Sequence, residues 1–473
     1  MTIKLADDGL NDAVLFAFDE QAFPFRNHVQ IHLIPGQKAQ MVLPPGPPGT
    51  HDEAVLYYGT VLRIGDTFHM WYFGSYGAQR EGIGHGHGRP SSVLCYATSA
   101  DGIQWDRPEL GLVEFNGSRQ NNIVDLPDPG LRPAAAILYE PEDSERPYKL
   151  AYEATVDGQA RFCVAFSRDG LRWQPYEANP VGPFLEMAGV TRFDGMYYVV
   201  GQGPLTAHRP QRARQLMVFA SKDFEYWSPC GAVGLDRSPD LTGPSVETNW
   251  NHIEEIHLGA GLWNRGNVIL GIYGQWHGHY SGDRRFLTMD LGLAISHDAI
   301  HFTEPIPGFA LIPAREQPGS PAGEFPALMQ GQGMENVGDE TYYWYSLWKG
   351  TSGTGVRMVK WTRDRLGSLI PFAPKGARVL TCPVDIEGAA RLYVNASGLG
   401  EYSSLQISVL DEGFRPVPGY APVTIDEDGL RAPVQWPDHD VIAEGRFRIE
   451  VQFSGIRPED CHLHALYLER VLS

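Results

Sequence analysis

A chain of 473 residues with 20% charged side chains and a formal net charge of −19 suits one large domain with an appendage. Its acidity argues against nucleic acid and against anionic membranes as partners. No apolar run reaches the roughly 18 residues of a membrane-spanning helix, so none is expected.

Residues 1–50, with Pro44-Pro-Gly-Pro-Pro48, read as an N-terminal arm leading into the first of a series of similar units. The first unit has a strand at Tyr58–Arg63, a turn at Gly65-Asp66 and an aromatic strand at Thr67–Phe73. A long loop from Ser75 to Ser92 follows, and then Tyr96-Ala-Thr-Ser-Ala-Asp101-Gly-Ile-Gln-Trp105. The second unit repeats this order with a turn at 140–146, a strand at Pro147–Tyr152 and Ala165-Phe-Ser-Arg-Asp169-Gly-Leu-Arg-Trp173. The third has Asp194-Gly195, Met196–Val200 and Phe219-Ala-Ser-Lys-Asp223-Phe-Glu-Tyr-Trp227. The fourth has Asn264-Arg-Gly266, Val268–Tyr273, a loop from Gln275 to Arg285, and Ala294-Ile-Ser-His-Asp298-Ala-Ile-His-Phe302. In the fifth, Gly338-Asp339 and Thr341–Tyr345 lead to a degraded phrase, Lys360-Trp-Thr-Arg-Asp364. After about residue 370 the pattern changes to period-two strands at Arg391–Asn395, Leu405–Leu410, Phe447–Phe453 and His464–Leu468.

A unit that recurs every few tens of residues cannot bury its faces alone and must stack on its copies. Four strands joined by tight turns form an antiparallel meander, and a closed ring of meanders leaves few free edges. The expected fold is therefore all-β: a five-bladed β-propeller over 51–370 and a C-terminal β-sandwich over 377–473. In a propeller the starts of the first strands and the long loops share one end. The Ser-Asp turns share the other, where they serve as structural punctuation.

The phrases Tyr-x-Thr-Ser-x-Asp-Gly-x-x-Trp and Gly65-Asp-Thr-Phe-His-Met-Trp-Tyr72, and the run Leu110-Gly-Leu-Val-Glu-Phe-Asn-Gly-Ser-Arg-Gln-Asn-Asn-Ile-Val124, resemble those of uncharacterised bacterial members of the propeller glycosidases. That superfamily is related to glycoside hydrolase families 32, 43 and 68. The C-terminal Val409-Leu-Asp-Glu-Gly, Pro418-Gly-Tyr420 and Val434-Gln-Trp436 are similar to its sandwich. The resemblance covers nearly the whole chain and implies glycosidase chemistry in the central funnel. Three invertase-type motifs (Asn-Asp-Pro-Asn-Gly, Arg-Asp-Pro and Glu-Cys) do not stand here intact: the first unit has Thr50-His-Asp52-Glu53 and the second Arg132-Pro133.

Glycoside hydrolysis takes two carboxyl groups flanking one bond. Counting back about eight residues from each first turn gives Tyr57, Arg132, Glu186, Glu255 and Gln330 as equivalent positions around the funnel. Glu186 matches the unit where the related enzymes keep their acid. Glu255 lies in His252-Ile-Glu254-Glu255-Ile-His257, where alternation puts Glu255 and His257 on one face and Glu254 on the other. The catalytic candidates are Glu255, Glu186, Glu254 and, just upstream of the first strand, Asp52 and Glu53, with Asp128 behind them. Glu335 is set aside because it adjoins a turn of the far end. Arg132, His252, His257, His277, His279 and Gln330 are candidate substrate-binding groups, and Trp250 and Trp276 candidate platforms for a sugar ring. The pairs His85-Gly-His87 and His277-Gly-His279 have metal-compatible spacing, but no metal and no organic cofactor is expected. Arg132, Arg284 and Arg285 offer charge for an anion.

The leading expectation is an exo-acting glycoside hydrolase on a short oligosaccharide or glycoside. The alternatives are a phosphorylase, using Arg132, His277 and Arg284 to hold inorganic phosphate, and a non-catalytic carbohydrate-binding propeller. The partner is a small carbohydrate, and self-association stays open. Cys95, Cys163, Cys230, Cys382 and Cys461 never form a Cys-x-x-Cys pair, and the first residues lack the basic and apolar stretches of a signal peptide. Reduced thiols and a cytoplasmic location are therefore expected.

Overall fold

The computed structural model describes residues 1–7, 9–76, 91–203, 214–237, 254–315, 325–349, 355–373 and 375–471, with only the backbone of Lys38, Ala39, Ser91, Arg284 and Lys349. Strands β1 (Ile3–Leu5), β2 (Asp12–Phe16), β3 (Phe25–Asn27), β4 (Val29–Leu33) and β5 (Gln37–Leu43) open the chain. The first meander is β6 (Ala54–Ile64), β7 (Thr67–Tyr76) and β8 (Ser91–Ser99). The second is β9 (Leu131–Tyr139), β10 (Tyr148–Val156), β11 (Gln159–Ser167) and β12 (Trp173–Pro175). The third is β13 (Glu186–Phe193), β14 (Met196–Gln202), β15 (Leu216–Ser221) and β16 (Ala232–Leu235). The fourth is β17 (Glu254–Asn264), β18 (Ile269–His277) and β19 (Thr288–Ser296), and the fifth β20 (Ala327–Val337), β21 (Glu340–Lys349) and β22 (Val356–Thr362). Strands β23 (Gly367–Pro371), β24 (Arg378–Leu380), β25 (Val384–Ser397), β26 (Ser403–Asp411), β27 (Val423–Ile425), β28 (Gly429–Pro433), β29 (Ile442–Gly455) and β30 (His462–Arg470) complete the fold.

The meanders are the blades of a β-propeller. Their innermost strands pack in a circuit: β6 on β9, β9 on β13, β13 on β17, β17 on β20, and β20 back on β6. Two small-residue contacts let the backbones approach. A Cβ on Gly189 would collide with the Ala260 carbonyl, and one on Gly261 with that of Gly331. The fourth strand of the last meander comes from the other end of the chain, because β5 pairs antiparallel with β22. The segment expected as an arm is thus built into the sheets: β5 closes the ring, while β1, β2, β3 and β4 pair with β25, β30, β24 and β23.

The C-terminal strands β23–β30, together with β1–β4, are linked by hydrogen bonds into one twelve-stranded sheet. The 14-residue strands β25 and β29 run through both halves and let the sheet fold over a core that includes Leu392, Val394, Leu405, Ile449 and Leu466. Asp364 joins this unit to the propeller. Fully buried, it accepts hydrogen bonds from Arg265 of the β17–β18 turn, Asn336 Nδ2 (3.1 Å) and Tyr467 Oη of β30 (2.9 Å). Burial opposes its ionisation, but the Arg265 guanidinium holds it below the usual carboxylate range.

Four of the Ser-Asp phrases share one geometry. In the first, Ser99 Oγ accepts from the backbone N–H of Asp101 and Gly102, and Asp101 Oδ1 accepts from those of Ile103 and Gln104 at 2.8 Å. Ser167/Asp169 and Ser221/Asp223 repeat it; in Ser296/Asp298 the Asp half is the same, and Ser296 Oγ accepts from Asp298 N. Each turn thereby satisfies its own donors with its own side chains. Trp344 and Trp71 then donate to the carbonyls of Gly102 and Gly170, stitching those turns to the preceding meander.

Candidate active site

The innermost strands begin at one end of the ring, and the counted-back residues fall in their first four positions. Tyr57 is fourth in β6, Arg132 second in β9, Glu186 first in β13, Glu255 second in β17 and Gln330 fourth in β20. Tyr57 and Gln330 are wholly buried and work as cross-links between strands. Tyr57 Oη donates to the Gln332 carbonyl (2.6 Å), and Gln330 Nε2 donates to the carbonyls of His257 and Gly259. One level deeper, Gln332 accepts from Val190 N (2.6 Å) and donates to the Ile137 carbonyl (3.2 Å), tying β9, β13 and β20 across the axis. Above this level the starts of the innermost strands frame an upper mouth.

At that mouth, carboxylates and cations stand in pairs. Glu255 has no exposed surface, and its Oε2 lies 3.4 Å from Nε of the buried Arg214. The Arg214 guanidinium stacks 3.7 Å over Trp276, the cross-strand neighbour of Glu255. Trp276 stacks in turn on His257 (5.6 Å) and packs against Trp348 (5.8 Å). Trp276 is completely buried, so it is a support under Arg214 and not an open sugar platform. Arg132 forms an ion pair with Glu153, a buried carboxylate of β10. Glu186 opens β13 half-buried, opposite Gln202.

Glu254 faces the other way, as alternation requires, and accepts from His277 Nδ1 at 2.8 Å. His277 Nε2 meets Asp290 at 2.9 Å, so both ring nitrogens face carboxylates. Burial works against protonation of His277, but the hydrogen bonds to Asp290 and Glu254 outweigh it and lift the imidazole to about 9. Arg237 adds a contact to Glu254 (3.6 Å) and another to Glu304 (3.9 Å). His279 lies in the exposed loop after β18, bonded to Ser281 Oγ (2.7 Å) and packed against Tyr280 and Phe286. Arg285 is engaged by Asp283 at 2.6 Å.

The remaining carboxylates have local partners. Asp52 is buried in the first meander, where it accepts from Arg107 Nε (2.8 Å), Tyr72 Oη (3.0 Å) and Thr50 Oγ1 (3.1 Å). Glu53 accepts from Gly49 N in the preceding turn. Asp128 accepts from Gly130 N and Tyr152 Oη, both at 2.8 Å; burial and that carboxylate push the Tyr152 phenol up. Glu335 lies at the far end of β20, opposite Tyr342, with its carboxyl raised by burial. His85, His87, Trp250 and His252 lie outside the described residues. Among the described residues, no cluster of histidine, cysteine and carboxylate side chains has the makings of a metal site.

Sequence reasoning missed Arg214, Glu153 and Arg237. Arg214 and Arg237 belong to loops without a repeat phase. Glu153 sits at the shift in the β9–β10 register, between Tyr152 and Ala154.

No family profile and no curated protein matches the sequence. Solved structures do resemble it. One is a glycosyl hydrolase from Bacteroides ovatus (14% identity, TM-score 0.45, covering 72% of this chain and 98% of that one). Another comes from work on the GH130 family of mannoside phosphorylases, which contains glycoside hydrolases that target β-1,2 mannosidic linkages in Candida mannan (17%, 0.43, 72% and 95%). A third is the Bombyx mori GH32 β-fructofuranosidase (13%, 0.41, 91% and 94%). Likenesses of this strength carry nothing about the chemistry at the mouth.

Proposed function

We propose that the protein is a glycoside hydrolase acting on a short oligosaccharide or glycoside from the mouth of the propeller. The observation that carries this reading is Glu255: a fully buried carboxylate at a funnel position, paired with a buried arginine. An ion-paired carboxylate accepts a proton or attacks, which makes Glu255 the base or nucleophile. Glu186, half-buried at the start of the neighbouring innermost strand, is the acid that protonates the leaving oxygen. Arg132, steadied by Glu153, is the group best placed to orient sugar hydroxyls.

Hydrolysis is preferred to phosphorolysis on charge. Arg132, Arg214, Arg237 and His277 each face a carboxylate, so inorganic phosphate would compete with groups already in place. The burial of Glu255 favours a second reading, a mouth that binds sugar without turnover, because this carboxylate has no surface open to a substrate. A panel of aryl glycosides and short oligosaccharides, with and without phosphate, separates the readings. Free sugar that needs no phosphate supports the hydrolase, and sugar phosphate as product contradicts it. Sugar binding without any product supports the second reading.

A further inference from the structure

We infer that Arg214 is the positioning residue for Glu255, holding its carboxylate in one orientation and one charge state; the inference rests on the glycosidase reading above. Three meanders meet at this pair. Arg214 stands two residues before β15 in the third meander, Glu255 and Trp276 belong to β17 and β18 of the fourth, and Trp348 belongs to β21 of the fifth. The guanidinium is 6% exposed and the carboxylate 0%. Its plane is held over an indole that is itself locked between His257 and Trp348.

A flat guanidinium stacked on a ring has little freedom to leave its partner, whereas a lysine ammonium on a flexible stem neither stacks nor stays. Among the described residues, the other neighbouring charges are turned to partners of their own. His257 lies on the same face of β17 and turns its ring to Trp276. Arg237 reaches the Glu255 carbonyl oxygen (3.5 Å) and not the side chain, and Glu254 and His277 are engaged with each other on the opposite face. As a source of stability alone, a buried ion pair is a poor choice, since apolar side chains of the same volume do as well or better. A pair that fixes the ionisation of a reacting carboxylate has a reason to be there.

The test uses the full chain with Arg214→Gln, Arg214→Lys, Glu255→Gln and the Arg214→Gln/Glu255→Gln double variant. On a glycoside that the wild type cleaves, Arg214→Gln should lower kcat by about tenfold or more and change KM little. It should also move the acid limb of the pH profile upward by about one unit, because Glu255 loses the charge that favours its ionised form. Arg214→Lys should return the limb toward its original place without restoring kcat, since charge is regained and stacking is not. Thermal unfolding of the four proteins forms a double-mutant cycle that needs no activity. The inference expects the two single losses to be clearly less than additive. A wild-type kcat and acid limb in Arg214→Gln, with Glu255→Gln inactive, overturns the inference and leaves the glycosidase reading standing. Full activity in Glu255→Gln overturns the glycosidase reading and this inference with it. Additive losses in the cycle overturn the pairing itself. If Arg214→Gln does not fold, an unshifted limb and wild-type kcat in Arg214→Lys overturns the positioning role.

Discussion

The two ends of the propeller are made from the same strands and follow opposite rules. At the lower end Ser99/Asp101, Ser167/Asp169, Ser221/Asp223 and Ser296/Asp298 solve one local problem four times in the same way. At the upper end the equivalent positions are Tyr57, Arg132, Glu186, Glu255 and Gln330, and no two have the same described surroundings. Repetition marks what each meander needs in order to form. Loss of repetition marks where the ring as a whole does something a single meander cannot. The fifth turn obeys the same logic at the lower end. Its positive φ falls on Asp364, whereas in the intact phrases it falls one residue later, on Gly102, Gly170, Phe224 or Ala299. The freed carboxylate serves the junction with β30 instead of its own turn.

The sharpest break in the lower-end pattern is therefore Asp364. Asp364→Ala strips Arg265, Asn336 and Tyr467 of their common acceptor, and should cost about 3–5 kcal/mol of stability, as loss of one partner of a buried pair does. Chemical denaturation of the full chain measures it. A loss close to that of an ordinary turn residue would show that the junction does not depend on this carboxylate.

Two histidines at opposite ends should respond to pH with opposite sign. His464 of β30 is buried, with Nδ1 facing the Gly367 carbonyl and Nε2 facing Ser397 Oγ; burial, aided by nearby Arg365 and His462, pulls it down to about 3. The unfolded chain takes up that proton near 6.5 and the folded one does not. Stability should thus fall as pH drops from about 6.5 toward 3, by at most about 1.4 kcal/mol per pH unit from this group. His464→Gln should flatten the slope, seen as denaturant midpoints across that range. His277 at the mouth has the reverse linkage. Its contribution is complete below about 6.5 and is lost as pH rises through about 9. His277→Gln should remove that alkaline loss while leaving the acid slope alone.

The smallest effects belong to the intact turns. Asp101→Ala, Asp169→Ala, Asp223→Ala and Asp298→Ala should each cost about 1 kcal/mol, the usual worth of a side chain that caps backbone donors. None of them should alter chemistry at the mouth. A turn variant that impaired sugar release while melting normally would break the division between the two ends.

The parts of this fold legible in the sequence are those that obey local rules. The Ser-Asp phrases and aromatic strands set the register closely enough that an eight-residue count reaches the first four positions of each innermost strand. Alternation separated Glu254 from Glu255 correctly, and their partners confirm the two faces. Trp276 shows where such reasoning stops: strands packed between meanders are buried on both faces, so alternation does not say which ring meets solvent. Pairings distant in sequence were also hidden. β5 completes the sheet of β22, and Arg214 reaches Glu255, without any local signal to announce either. Gln330 looks like a binding group in a list of funnel positions, yet it and Tyr57 cross-link strands around a closed axis.

The most direct measurement compares kcat/KM of Glu255→Gln with that of Asp169→Ala on one glycoside, each checked for folding by circular dichroism. The account predicts a loss of about 10²–10⁴-fold for Glu255→Gln, the usual range for a missing acid or base group, and wild-type activity for Asp169→Ala. A folded Glu255→Gln protein that releases sugar as fast as the wild type would contradict it.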